Sequence, residues 1–415
     1  MLTVTARVFG PGSGTVTSGP AGISCTAPCT KTASFPVGTR VTLTAGGGPL
    51  VWWAPGSQCK GSTCPLTLSS PATIVVTFSG NNFVFTSSLV HDGNMGGAAG
   101  GDALCARAAT TAGLPGTFIS WIGTSRSNPL TRLSSVRGWI RPDGLPFVDL
   151  ASGIKNGQIL YPPAVNEQGQ PATNSFVYTG ANVDGTIVAT PNGNCKDFTN
   201  NSAMYGNGGA STGGTWVFTS GLAQSCSGSY PVYCFGTDLS NPVTFTPATG
   251  RHVFLSKGLF SPSSNVSAAD SLCQGEAMSA GLANPTHFLA MLATTTATAA
   301  SRFNLSGANW VRPDGIPVTN TPSDIKQTLL SGISIHADGT YASNSTLTGA
   351  FGPPPIAAGA ANTASLGTVA GTCNNYSTSS GNLLAIGWAG YTASSWFNFA
   401  ESDCSLPLSV FCFEN

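Results

Sequence analysis

Six cysteines in two matching frames constrain this chain more than any other feature. Cys195, Cys226 and Cys234 recur as Cys373, Cys404 and Cys412, each 178 positions later. The flanks recur with them. Asn194-Cys195-Lys196-Asp197-Phe198-Thr199 matches Thr372-Cys373-Asn374-Asn375-Tyr376-Ser377, and Val232-Tyr233-Cys234-Phe235 matches Val410-Phe411-Cys412-Phe413. All told, twelve cysteines fall four, four and four along the chain. An even count at repeated spacing reads as a disulfide framework in an oxidising compartment. The frame therefore predicts tandem stapled modules, extracellular or on the cell surface. Binding or structural work suits such modules, but a cysteine frame names no ligand.

At 415 residues the chain has length for two to four domains, each with its own core. Only 8% of the residues are charged, with 16 basic against 16 acidic side chains. That balance lacks the basic footprint for phosphate-backbone binding, which argues against nucleic acid as a partner. Low charge is not disorder here, because 41% of the residues are hydrophobic and no like-charge block occurs. No run reaches the length of a membrane span. Residues 1–8 alternate like a strand and lack the apolar core of a secretory leader, so either a leader has been removed or export takes another route.

Residues 1–80 form a small all-β unit. Strand-like runs at 3–9, 14–18, 40–45 and 72–78 are separated by Gly/Pro/Ser turns. Cys25 with Cys29 and Cys59 with Cys64 are the economical local pairs. A four-thiolate zinc site is the alternative, although its Cys-x-x-Cys spacing is absent. Gly12-Ser13-Gly14-Thr15-Val16-Thr17-Ser18, Gly22-Ile23-Ser24-Cys25, Gly38-Thr39-Arg40-Val41-Thr42-Leu43-Thr44-Ala45 and Ile74-Val75-Val76-Thr77-Phe78 follow one another in order. Together they resemble the bacterial extracellular repeat related to the B-repeats of internalin-type surface proteins. Val51-Trp52-Trp53-Ala54 stands where that family has Gly-Trp. The resemblance implies a spacer or stalk.

The two copies occupy 83–235 and 251–415, joined by a linker at 236–250 expected to extend. Each opens on a strand and turns into a helix bearing its first cysteine, Cys105 or Cys273. Asp102 and Asp270 suit the helix N-terminus, and Gly113 and Gly281 suit its stop. Trp139-Ile140-Arg141-Pro142-Asp143-Gly144 then recurs as Trp310-Val311-Arg312-Pro313-Asp314-Gly315, where Pro-Asp-Gly is turn chemistry. Arg141 and Arg312 are candidate ligand-facing cations; the plainer reading makes them solvated or paired. The following stretch differs in length: 90 positions separate Cys105 from Cys195, and 100 separate Cys273 from Cys373. Variable loops on a fixed frame are where binding usually lies.

Aromatics crowd the ends of both copies: Trp216, Phe218, Tyr230 and Tyr233, then Trp388, Tyr391, Trp396, Phe397 and Phe399. Half would fill the core between the disulfides. Trp388, Tyr391 and Trp396 are the candidates for a stacking platform, since aromatic faces suit sugar rings and protein hot spots alike.

One helix cysteine followed by three later ones resembles the C-type lectin-like fold, in a bacterial form of unknown function. The residues that carry this include Gly96-Gly97-Ala98-Ala99-Gly100-Gly101-Asp102-Ala103-Leu104-Cys105, Trp121, the Trp139 turn, Tyr178-Thr179-Gly180 and the Cys195 to Cys234 segment. The second copy keeps the Trp310 turn and its cysteines but little of the glycine-rich opening. The resemblance implies pairs Cys105–Cys234, Cys195–Cys226, Cys273–Cys412 and Cys373–Cys404. The calcium-bound sugar site of that family needs Glu-Pro-Asn or Gln-Pro-Asp and Trp-Asn-Asp, and neither set occurs. Glu401 and Asp403, before Cys404, leave room for a weak calcium site at most. No cofactor is otherwise indicated.

Enzyme signals are thin. The histidines His91, His252, His287 and His336 do not recur between copies, and no metal-ligand spacing appears. Gly209-Ala210-Ser211-Thr212-Gly213 matches a nucleophile elbow only as a string inside a glycine run. The expectation is a β-rich α+β chain: a small all-β domain, then two disulfide-stapled C-type lectin-like domains. It would be a non-enzymatic, adhesin-like protein recognising glycan or a surface protein. The competing expectation is a structural subunit of a surface layer, filament or virion, in which low charge favours self-assembly.

Overall fold

A computed structural model of the protein describes residues 1–9, 14–47, 50–54, 59, 62–187, 193–202, 205–214, 217–342 and 354–415. Gly12 and Ser13 of the opening motif, Trp216, and Pro353 lie outside these residues, as do the side chains of Val51, Trp52 and Ala54. The chain is β-rich with few helices, and all twelve cysteines are paired. It divides into two compact units. One contains Met1–Ser152, Pro163–Ser211 and Leu222–Thr244; the other contains Gly153–Pro162, Thr212–Gly221 and Phe245–Asn415.

In the first unit, strands β1 (Leu2–Phe9), β2 (Thr15–Gly19), β3 (Ser24–Thr26), β4 (Cys29–Phe35), β5 (Arg40–Gly46), β6 (Leu50–Ala54), β7 (Thr63–Thr67) and β8 (Ala72–Ser79) build two four-stranded sheets. Their orders are β4-β1-β8-β6 and β3-β2-β5-β7. Alternation explains the core: Val4, Ala6 and Val8 point inward from β1, and Val41, Leu43 and Ala45 from β5. All join one cluster with Ile74, Val76 and Phe78. The local disulfides are Cys25–Cys29 and Cys59–Cys64, so the thiolate-zinc alternative falls away. Residues 1–80, expected as a separate spacer, group with the first copy.

The first copy follows with β9 (Asn82–Thr86), β10 (Phe118–Ser120), β11 (Arg137–Ile140), β12 (Pro146–Leu150), β13 (Phe176–Tyr178), β14 (Tyr205–Ala210), β15 (Leu222–Ser225) and β16 (Tyr233–Gly236). They form a five-stranded sheet, β10-β16-β9-β11-β12, and a three-stranded one, β13-β14-β15. The second unit repeats the plan with β17 (Arg251–Leu255), β18 (Phe288–Ala290), β19 (Trp310–Val311), β20 (Pro355–Ala357), β21 (Leu383–Trp388), β22 (Ala400–Asp403) and β23 (Phe411–Glu414). Its sheets are β18-β23-β17-β19 and β20-β21-β22.

In each copy the four cysteines pair first with last and middle with middle: Cys105–Cys234, Cys195–Cys226, Cys273–Cys412 and Cys373–Cys404. The helix Gly97–Ala112 buries Leu104, Cys105, Ala108, Ala109 and Ala112, a stripe at helical spacing that packs on the sheet. It stops at Gly113, whose φ of 70° suits the residue without a Cβ. The helix Val266–Ser279 starts on Asn265, whose side chain accepts the Ala268 N–H.

Asp102 and Asp270 are not helix-end acids. Neither helix has an acidic residue in its first turn. Instead Asp102 reaches sideways to the Ser120 N–H at 2.8 Å and to Arg132 at 2.5 Å, and Asp270 to the Ala290 N–H at 2.8 Å and Arg302 at 2.6 Å. Each ties its helix to the neighbouring strand, β10 or β18.

The stretch 236–250, expected to extend, is tied down over its first half. Asn82 Oδ1 accepts the N–H groups of Asp238 and Leu239, and Asp149 Oδ1 accepts that of Val243 at 2.8 Å. The side chains of Asn82 and Asp149 therefore hold what composition alone marks as a spacer.

Candidate functional site

The Pro-Asp-Gly turns form as their residues dictate. Gly144 and Gly315 sit at φ 87° and 80° and return their N–H groups to the carbonyls of Arg141 and Arg312. Trp139 and Trp310 are fully buried, with indole N–H groups donating to Gly236 O at 2.9 Å and Glu414 O at 2.7 Å.

Both arginines are turned onto partners within the chain. Arg141 is 7% exposed and grips Asp143 with both Nε and Nη2. Arg312 is fully buried, forked on Asp314, and its Nη1 donates to the carbonyls of Gly332 (3.2 Å), Ile159 (3.3 Å) and Leu160 (3.4 Å). Burial opposes the charge of Asp314, but Arg312 and the Tyr341 hydroxyl outweigh it and hold the carboxyl below its ordinary range. Burial also works against the Arg312 cation, and Asp314 more than restores it. Burial together with Asp314 pushes the Tyr341 phenol up to about 12, against the pull of Arg312. A buried guanidinium this fully engaged is structural.

Trp396 is likewise core: it is 1% exposed, donates to Gln327 O at 3.4 Å, and lies among Phe397, Phe411 and Phe413. In the first copy Phe218 and Tyr233 are fully buried, and Tyr230 packs edge-on against Tyr178.

Trp388, Tyr391 and Phe399 do come together. Trp388 and Phe399 stack with ring centres 3.9 Å apart and planes at 29°; Tyr391 sits 5.9 Å from each. Trp388 ends β21 and Phe399 leads into β22, so one end of the small sheet carries them. Phe399 is 41% exposed, Trp388 is half-buried and Tyr391 is buried. The Tyr391 hydroxyl finds no hydrogen-bond partner among the described residues, nor does that of Ser334. Burial raises the Tyr391 phenol far above its usual range, so it stays a neutral donor. Phe399, placed among the aromatics but not among the platform candidates, is the most exposed ring of the trio. Its signal was position: it follows the Trp396-Phe397 pair by two residues on a strand approach.

Glu401 and Asp403 alternate along β22, opposite Ala385 and Leu383, so both face outward on one side of the sheet. Asp403 accepts the Ser405 N–H at 2.8 Å, and its carboxyl is lowered by that bond. Among the described residues no three His, Cys, Asp or Glu side chains converge as a metal site. Two carboxylates two residues apart fall short of the six to eight oxygens calcium takes.

Clefts lie elsewhere. In the second unit, about 390 Å³ is lined by Lys257, Glu276, His336 and Asp338. Glu276 accepts the Lys257 and Gly258 N–H groups, and Lys257 pairs with Asp338 at 2.6 Å. In the first unit, about 530 Å³ is lined by hydroxyls with Arg126 and Arg132, the latter held by Asp102. Ser211 of the elbow-like string is buried at the end of β14, its N–H on Ser175 O. His91 and Asp92 form an exposed adjacent pair at 3.0 Å.

No protein-family model matches the chain, and no curated protein matches it. Among the described residues no helix is long and apolar enough to cross a membrane.

Proposed function

We propose that this is a secreted or surface-displayed bacterial binding protein of adhesin type, with two C-type lectin-like modules behind an all-β spacer. The second module would take a neutral sugar ring on Trp388 and Phe399, without calcium-lectin chemistry. One observation carries the reading: a stacked, partly exposed aromatic pair, Trp388 on Phe399, at one end of the small sheet. Aromatic faces bind the apolar face of a sugar. Two further features are consistent with it: the first-with-last and middle-with-middle cysteine pairing that the resemblance implies, and the six disulfides of an oxidising compartment.

A neutral-oligosaccharide array probed with the full chain tests this. Phe399→Ala removes an exposed ring and should weaken capture roughly tenfold, about 1.4 kcal/mol. A blank array, together with concentration-dependent polymers on sizing, would instead support the structural-subunit reading.

A further inference from the structure

The first copy has no aromatic residue at the corresponding positions. Cys195–Cys226 and Cys373–Cys404 both span 31 residues, so the two segments align without a gap. Where the second copy has Trp388, Tyr391 and Phe399, the first has Ala210, Gly213 and Gly221. The corresponding stretches also meet inside the second unit. Gly213 and Tyr391 form an antiparallel bridge. The Gly214 N–H donates to Gly390 O at 2.6 Å, the Thr392 N–H to Thr212 O at 3.1 Å, and the Thr392 hydroxyl to Thr212 O at 2.9 Å. Gly213 thus pairs with its own counterpart in the frame, and the hydrogen bonds on either side of it join residues two positions from theirs.

The approach is close enough to require glycine. A Cβ on Gly214 would lie 2.7 Å from Gly390 O, and Gly390 itself sits at φ +85°. On its other side Thr392 O accepts the Leu329 N–H at 2.7 Å. Tyr391 is therefore clamped through its own backbone and that of Thr392, and its ring sets one side of the trio. A residue with a side chain at 214 could not approach this backbone so closely.

We infer that the platform belongs to the second copy alone, giving one sugar site per chain, and that residues 212–214 of the first copy are its positioning element. This rests on the sugar-binding reading above, but its structural half can be measured without a sugar. In the full chain, Gly214→Val should speed hydrogen exchange of the Thr392 amide at least tenfold while all six disulfides form. Thr392→Val, which removes only the hydroxyl bond, serves if Gly214→Val does not fold and should give a smaller acceleration at Tyr391 and Thr392. Titration with cellohexaose and maltohexaose should give at most one bound per chain, with Phe399→Ala and Gly214→Val each weakening it roughly tenfold. Two molecules per chain, or affinity unchanged in Phe399→Ala, would overturn the single-site claim. Unchanged Thr392 exchange in both variants would overturn the positioning claim. If neither sugar binds while exchange accelerates as stated, the sugar reading fails and the positioning role stands.

Discussion

Eight non-glycine residues carry the largest local conformational cost in the chain. Cys195, Lys196, Asp197 and Phe198 lie at φ 52–60°, and Cys373, Asn374, Asn375 and Tyr376 at 49–61°, so each copy has a full left-handed turn. L-residues disfavour this by about 1–2 kcal/mol each. The turns hold because both ends are anchored: each first cysteine is in a disulfide, and Phe198 and Tyr376 are fully buried. Asp197 is further held by Ser125 and Asn194, whose donors overcome the cost of its partial burial and lower its carboxyl. Lys196 is exposed and has no such anchor in its side chain, so Lys196→Gly should stabilise the protein by about 0.5–1 kcal/mol after glycine's entropy is counted. Chemical denaturation would register this as a raised midpoint at constant slope. At Tyr391 the buried hydroxyl without a described partner costs free energy, and Tyr391→Phe should stabilise by about 1 kcal/mol. A lowered melting temperature would mean that the hydroxyl has a partner in solution. The cysteine flanks show that these positions repeat, but left-handed backbone has no sequence signature beyond the Asn374-Asn375 pair.

Between elements, the repeated tie from helix to strand is an aspartate with an arginine that follows on a short turn. Asp270–Arg302 is the more enclosed, at 16% and 15% side-chain exposure, against 30% and 22% for Asp102–Arg132. Each arginine also donates to a strand carbonyl, Ala290 O or Ser120 O. Asp270→Asn should therefore cost about 2–3 kcal/mol, the range for a hydrogen bond to a charged group left partly unmet, and Asp102→Asn less. Thermal melts of the two variants side by side would check the order. Arg312 and Asp314 play the same part at the turn, but in full burial. Asp314 has a folded-state pKa below its unfolded value near 3.9, so its contribution is complete above about pH 4 and lost as pH falls through the folded value. Asp314→Asn should cost about 3–5 kcal/mol at pH 7 by stranding a buried cation, with a smaller penalty at pH 2–3. A penalty independent of pH would contradict that assignment. The aspartates are visible in sequence as a repeated residue; their arginines, 30 and 32 positions on, are not visible as partners.

At the scale of the molecule, the second unit is built partly from the first copy's chain. Gly153–Pro162 supplies the Ile159 and Leu160 carbonyls around Arg312, and Thr212–Gly221 supplies the backbone that bridges to Tyr391. A fragment of residues 245–415 lacks both, leaving a fully buried guanidinium short of two acceptors and Gly390 without a partner. Such a fragment should bind a hydrophobic dye and show fast exchange at Thr392, even with both of its disulfides formed. A fragment as protected as the full chain would show that the borrowed segments are dispensable. The amino-acid sequence by itself determined the β-rich class, the strands at the start of the chain, the glycine stops and the Pro-Asp-Gly turns. All of these follow from nearest-neighbour backbone preferences and alternation, which are local. Only the tertiary structure decided which aromatics are core and which form a platform, where Arg312 spends its charge, and that Gly213 meets Tyr391, its counterpart in the second copy. Those outcomes depend on burial and on partners up to 180 residues away, and short-range pattern carries no record of either.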